Sequence, residues 1–252
     1  MALRSNASNY DAIAEKYDRR YALHSYGGIR ETIDRFLGSA PLSGISEIGC
    51  GTGHWLEAMT GRAHRVAGMD ASANMLARAR EAAPRATLVR ARAEQPPWRD
   101  AAFDRIVCVN ALHHFTDRGR FFAEARRMLK PGGGLLTIGL DPHTERDEWW
   151  VYDFFPEARG IDLARFAGVR IIRGEMTAAG FAWAESLEAD RLETRYQLRD
   201  AFPDGVERTF TSQFSALTDD EFARGVERLR LAGDNVWLTS DLRFYATIGW
   251  LS

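Results

Sequence analysis

The sequence predicts an α/β fold, a doubly wound parallel sheet with helices on both faces. Three observations predict it. Apolar runs of strand length alternate with amphipathic helical stretches between residues 45 and 140, and the connections between them are short. The run FDRIVCVNALHHF (103–115) is apolar on both faces, as a strand covered on both sides must be. With 252 residues, 45% hydrophobic and 27% charged, the chain can bury a sizeable core.

In order, Tyr10, Ile13, Ala14 and Tyr17 recur at helical spacing, and Ile29, Ile33, Phe36 and Leu37 do so again. SAPLSG (39–44) is a turn, ISEIGC (45–50) a strand and 54–60 a helix. RVAGMDAS (65–72) is the second strand, and NMLARAREAA (74–83) a helix capped by Ser72 or Asn74. ATLVRARA (86–93) and 103–115 hold the third and fourth strands. RFFAEARRMLK (120–130) is a helix stopped by Pro131 and Gly132, and GLLTIGL (134–140) a fifth strand. The rhythm then breaks: 141–166 reads as aromatic-rich and irregular. A helix end turning at Gly180, a strand over 182–194, a helix over 218–232 capped by Thr218 and a strand over 239–251 follow.

The net charge of −2 gives no global field favouring nucleic acid. No apolar run reaches the roughly 20 residues of a membrane span. The polar N-terminus lacks a secretion-signal pattern, and Cys50 and Cys108 read as small buried residues. The expectation is a cytoplasmic protein with a small-molecule substrate and neither a nucleic-acid nor a membrane partner. Its oligomeric state is left open.

The chemistry concentrates in EIGCGTGHW (47–55), a glycine-rich turn between a strand and a helix. Such a turn lets a ligand approach backbone N–H groups at a helix start. Asp70, which closes the next strand 21 residues after Gly49, suits a pair of ribose hydroxyls. The dinucleotide fingerprint G-x-G-x-x-G requires glycine at position 54, where this chain has His54, so a pyrophosphate cradle fits poorly.

Taken with GMD (68–70), ARAEQPPW (91–98), FDRIVCVNALHHF and LKPGGGLL (129–136), this segment resembles the class I S-adenosylmethionine-dependent methyltransferases, in the branch acting on small molecules. The resemblance runs from about Tyr10 to Leu140. It implies a Rossmann-like seven-stranded, mostly parallel sheet with an antiparallel last strand. It further implies one domain over 1–252: a helical cap (1–40), a cofactor core (44–140) and substrate-covering insertions (141–178 and 198–236).

By the same resemblance, Gly49, Cys50, Gly51, Thr52 and Gly53 line the methionine portion of S-adenosylmethionine, and Glu47 steadies the loop and the ammonium group. Asp70, with Ala71 beside it, holds the ribose, and Ala93 with Glu94 meets the adenine. Asn110 lies under the methionine end, and Tyr17 closes over the cofactor. Arg92 stands where many relatives carry an aspartate for the adenine amino group. S-adenosylhomocysteine is the implied product.

A base is needed only if the acceptor must lose a proton. His114 and His113, just past the fourth strand, are the candidates, with His143 third. Asp141 and His143 are too few ligands for a metal, and none is predicted. Trp149, Trp150, Tyr152 and Phe155 are the expected acceptor pocket, though they equally suit the core of a covering element. Two other readings stay open: a non-methylating or non-catalytic user of the same cofactor pocket, and a nicotinamide-dependent oxidoreductase.

Overall fold

The computed structural model describes residues 26–252. The expected helix around Tyr10–Tyr17, and Tyr17 itself, lie outside the described residues. Helix α1 (Gly27–Leu37) buries Ile29, Ile33, Phe36 and Leu37, the stripe that the spacing predicts. Then follow β1 (Leu42–Ile48), α2 (His54–Met59), β2 (Ala63–Asp70), α3 (Ala73–Ala82), β3 (Thr87–Arg90) and β4 (Phe103–Val109). Ser72 is the cap of α3, its hydroxyl accepting from Met75 N at 3.1 Å. Helix α4 (Arg118–Met128) runs into β5 (Leu129–Leu140).

Expected as a helix stop ahead of the strand, Pro131–Gly133 lies inside the pairing. The β4–β5 register jumps from Phe103↔Leu129 to Arg105↔Gly134, so these residues form a bulge.

After β5 come a two-residue β6 (Glu148–Trp149), α5 (Trp150–Phe154), α6 (Pro156–Arg165), α7 (Val169–Ala178) and β7 (Trp183–Gln197). The chain continues with α8 (Leu198–Ala201), α9 (Ser212–Ala216), α10 (Asp219–Ala232) and β8 (Trp237–Trp250). Strand order is β3-β2-β1-β4-β5-β8, with β7 on the far side of β8 and β6 extending the β5 flank. β1 to β5 pair in parallel, and β8 is antiparallel to both β5 and β7. This is the expected Rossmann-like doubly wound sheet, with β6 as an eighth strand.

Alternation along the strands divides the core in two. Val107, Val109, Leu136 and Ile138 pack with α1 and α2 on one face. Ile106, Cys108 and Leu135 pack with Phe121, Phe122 and Met176 on the other. A third core lies apart from these: Trp150, Val151, Phe155, Leu198, Phe214, Leu217, Leu229 and Leu238. It joins 148–166 to 198–236 as one helical subdomain.

One departure from expectation has a cause in packing. The stretch 141–166 is not irregular but largely helical, because Trp150, Phe155 and Ala158 fall on faces that bury against α9 and α10. Helix α7, by contrast, packs on β7, β8 and α4 as a sheet helix.

Candidate active site

Strand β1 pairs with β2 on one side and β4 on the other, so connections leave it in opposite directions and open a crevice at its C-terminal end. The glycine loop sits there. Gly49, Gly51 and Gly53 all have positive φ (74°, 51° and 88°). A Cβ on Gly49 would collide with Ala111, and one on Gly53 would lie 2.9 Å from Ala79 Cα. These two glycines are therefore demanded by the protein's packing on itself, which the reading of ligand approach misses.

The loop amides are also committed. Gly49 N and Cys50 N donate to Met69 O at 2.8 and 3.0 Å, and Gly53 N to Cys50 O at 2.9 Å. Gly51 N donates to Asp70 Oδ2 at 2.9 Å. A pyrophosphate needs open N–H groups, and these four are already paired. Cys50 is buried, and its burial, with the charges of Glu47 and Asp70, raises its pKa and keeps it a thiol. Thr52 is buried beside it.

Two carboxylates flank the loop. Asp70 is gripped on both sides, its Oδ1 accepting from Ser72 N at 2.9 Å and its Oδ2 from Gly51 N. Glu47 is 1% exposed, and its Oε2 has no partner among the described residues. Burial, aided by the charge of Asp70, pushes its carboxyl well above the usual range. A buried, unpartnered carboxyl oxygen is suited to a cationic group such as an ammonium.

Further along, Ala71 is exposed, its carbonyl taking Arg90 Nε at 3.0 Å, while Ala93 is buried. Glu94 is held by the loop after β4. Its Oε1 accepts from Thr116 N (2.7 Å), Thr116 Oγ1 (2.8 Å) and Asp117 N (3.3 Å). Burial raises its pKa, but these bonds outweigh that and lower it. Glu94 thus ties the exit of β3 to the loop after β4. Arg92, in the usual aspartate's place, joins the same tie through Thr116 Oγ1 at 2.9 Å. Asn110 ends β4 at φ 49°, a left-handed conformation that asparagine tolerates, with its N–H on Ile138 O at 2.8 Å.

His113 and His114 follow on a single 3₁₀ turn (Leu112–His114), both half-buried, with ring centroids 3.8 Å apart. His113 lies flat on Phe166 at 4.0 Å and 20°. His143 is exposed and turned to the Phe166 carbonyl, its Nε2 at 2.8 Å from that oxygen. Asp141 is buried, accepting from His143 N (3.1 Å) and Val169 N (2.9 Å), and so fixes the exit of β5 to the start of α7. The sequence signals for Asp141 and Phe166 differ. Aspartate before proline is a cap signal, whereas Phe166 carries none. A small cavity of about 20 Å³ lies between His113, Leu140, Phe166 and Tyr245, room for one water. Among the described residues, no group of three His, Cys, Asp or Glu is arranged to hold a metal.

The expected acceptor aromatics belong mostly to the third core. Trp150 and Phe155 are 1% and 0% exposed, and Trp150 Nε1 donates to Tyr196 OH at 3.0 Å. Both are buried in the core that holds the two insertions together. Tyr152 is half-buried, its OH donating to Asp162 Oδ2 at 2.8 Å. Asp162 also takes Arg165 Nε (2.8 Å) and Gln213 Nε2 (2.9 Å), a closed polar network. Trp149, also half-buried, meets Tyr152 edge-on at 5.2 Å.

Residues 46–137 match the family described as "Methyltransferase domain". The chain is 28% identical over 152 residues to a demethylmenaquinone methyltransferase of Thermotoga maritima, covering 58% of this chain and 66% of that one. It is 29% identical over 168 residues to the 27-O-demethylrifamycin SV methyltransferase of Amycolatopsis mediterranei, covering 54% and 62%. The chain thus spans a little under two thirds of the length of these relatives. Its fold is similar to that of the YcgJ protein of Bacillus subtilis, with a TM-score of 0.64 at 18% identity over 89% of this chain and 98% of that one.

Proposed function

We propose that this chain is a class I S-adenosylmethionine-dependent methyltransferase that transfers a methyl group from S-adenosylmethionine to a small, apolar or aromatic acceptor, a reading supported by the methyltransferase-domain match over 46–137 and by the sheet. The observation that carries this reading is the Asp70 carboxylate and the buried Glu47 carboxyl beside a glycine loop in which the amides of Gly49, Cys50, Gly51 and Gly53 are already bonded. That arrangement repels a polyphosphate and accepts an adenosyl amino acid, which brings an ammonium and a ribose diol. It also disfavours the nicotinamide alternative, whose dinucleotide carries two phosphates. Relatives named for demethylmenaquinone and 27-O-demethylrifamycin SV support a small-molecule acceptor.

In this reading Glu47 takes the ammonium and Asp70 the ribose hydroxyls. The backbone of 49–53 bounds the methionine portion, with Asn110 beneath it, and the Ala93 amide faces the adenine. When bound, S-adenosylmethionine supplies an electrophilic methyl group without help from the protein. The protein's task is then alignment, which supplies on the order of 7–11 kcal/mol when nucleophile and carbon are held in line. His114 or His113 removes a proton from an acceptor that must lose one. Their ring centroids lie 3.8 Å apart, so the two imidazoles stand side by side at the mouth of β4.

The test is calorimetry with S-adenosylhomocysteine, followed by transfer of a radioactive methyl group to a panel of naphthoquinols and phenols. Tight one-site binding with labelled product is expected. Binding without product from any acceptor class would favour a non-catalytic user of the cofactor.

A further inference from the structure

Phe166 belongs to no motif, yet it meets both loops that leave the central strands. Its ring lies on His113 after β4 (4.0 Å, 20°), and its carbonyl faces His143 Nε2 after β5 at 2.8 Å. It is 7% exposed and caps α6, its N–H donating to Asp162 O at 2.9 Å. Three residues on, Val169 N is held by Asp141 at 2.9 Å. The Arg165 guanidinium stands 5.3 Å from the same ring and is bound to Asp162 and, through Nη2, to Ser212 Oγ at 3.0 Å. A continuous set of contacts therefore joins α9 of the helical subdomain to an imidazole at the mouth of β4.

We propose that Phe166 is a positioning residue: its ring fixes the plane and direction of the His113 imidazole, so that the seating of the helical subdomain sets the alignment of the acceptor. This rests on the reading of 113–114 as the acceptor side of the site. A flat aromatic face restrains the second torsion of a histidine, which is otherwise broad, and so preorganises its ring nitrogens. An aliphatic residue of similar bulk fills the space without holding the plane.

The experiment compares wild type, Phe166→Leu and Phe166→Tyr in the full chain with S-adenosylhomocysteine bound. Histidine ring protons are read by NMR, and His113→Gln assigns the signal. In wild type the His113 ring proton lies upfield of those of the exposed His64 and His143, shifted by the stacked ring. Phe166→Leu moves it downfield, and Phe166→Tyr leaves it in place. With a naphthoquinol or phenol that the wild type methylates, Phe166→Leu lowers kcat about ten-fold or more. Phe166→Tyr restores it, while KM for S-adenosylmethionine and affinity for S-adenosylhomocysteine stay within about two-fold.

A His113 signal unmoved by Phe166→Leu overturns the proposal, as does a moved signal with unchanged kcat. A loss of kcat matched by loss of S-adenosylhomocysteine affinity also overturns it, since the role is then merely structural. Should Phe166→Leu fail to fold, Phe166→Met takes its place with the same expectations. Wild type that binds no S-adenosylhomocysteine overturns the methyltransferase reading instead, and the NMR comparison on the unliganded chain still decides the stack.

Discussion

The crevice at the end of β1 and the helical subdomain of 148–166 and 198–236 are organised by different parts of the chain. In the crevice the backbone does most of the work. Loop amides bond to Met69 O and to Asp70, and Gly49 and Gly53 are bare because Ala111 and Ala79 press against them. In the subdomain side chains do it, with Trp150, Phe155, Phe214 and Leu229 in a core of their own and a buried Asp162–Arg165–Gln213 network beneath Tyr152. A backbone device needs particular residues at particular spacings. A packed core needs only sufficient apolar volume on the right faces.

The largest expected effect separates the two regions. Trp150→Ala removes a fully buried ring and lowers stability by about 3–5 kcal/mol, read by denaturant unfolding. S-adenosylhomocysteine affinity should hold within about three-fold wherever the variant is folded, and a proportionate loss would mean that the subdomain helps to build the cofactor site. Next comes Asp70→Ala, which removes the clamp on Gly51 and Ser72 and the proposed ribose ligand together. It should cost on the order of 2–3 kcal/mol of S-adenosylhomocysteine binding by calorimetry. Asp70→Asn keeps one acceptor oxygen and should lose less.

Asp104 gives a third test, away from both regions. Partial burial pushes its carboxyl up, but hydrogen bonds from Ser43, Lys130 and Gly44 hold it down at about 2 from an ordinary 3.8. A depressed folded pKa means stability that is fully present above about pH 4 and lost as pH falls toward 2. The contribution is about 2 kcal/mol. Asp104→Asn should flatten that acid limb of the stability curve and leave ligand affinity alone. The smallest effect is that of Glu94→Gln. It should weaken the tie to Thr116 and Asp117 by about 1 kcal/mol, seen as faster amide exchange at 116–117.

The same contrast explains what was legible beforehand. β1 to β5 announce themselves by apolar runs, and the α10 start at Thr218 by a capping box that the structure contains. The loop at 49–53 and Asp70 stand out by spacing alone. The tie that Glu94 makes to Thr116 and Asp117 leaves no trace in the sequence, because an acidic residue near a cofactor motif looks the same whether it meets a ligand or clamps a loop. For Trp150 and Phe155 the sequence leaves pocket and covering core as alternatives, because aromatic density does not reveal which partner an aromatic packs against, and theirs lie 40 to 80 residues away in α8 to α10. Phe166 could not be found at all: its meaning comes from meeting His113 across the fold.

The most direct test of the central claim is calorimetric titration of the wild-type chain with S-adenosylhomocysteine and, separately, with NADH, repeated on Asp70→Ala. One site for S-adenosylhomocysteine, weakened about thirty-fold or more by the substitution, with no heat from NADH, is the predicted result. Equal affinity in Asp70→Ala, or binding of NADH in preference, would contradict it.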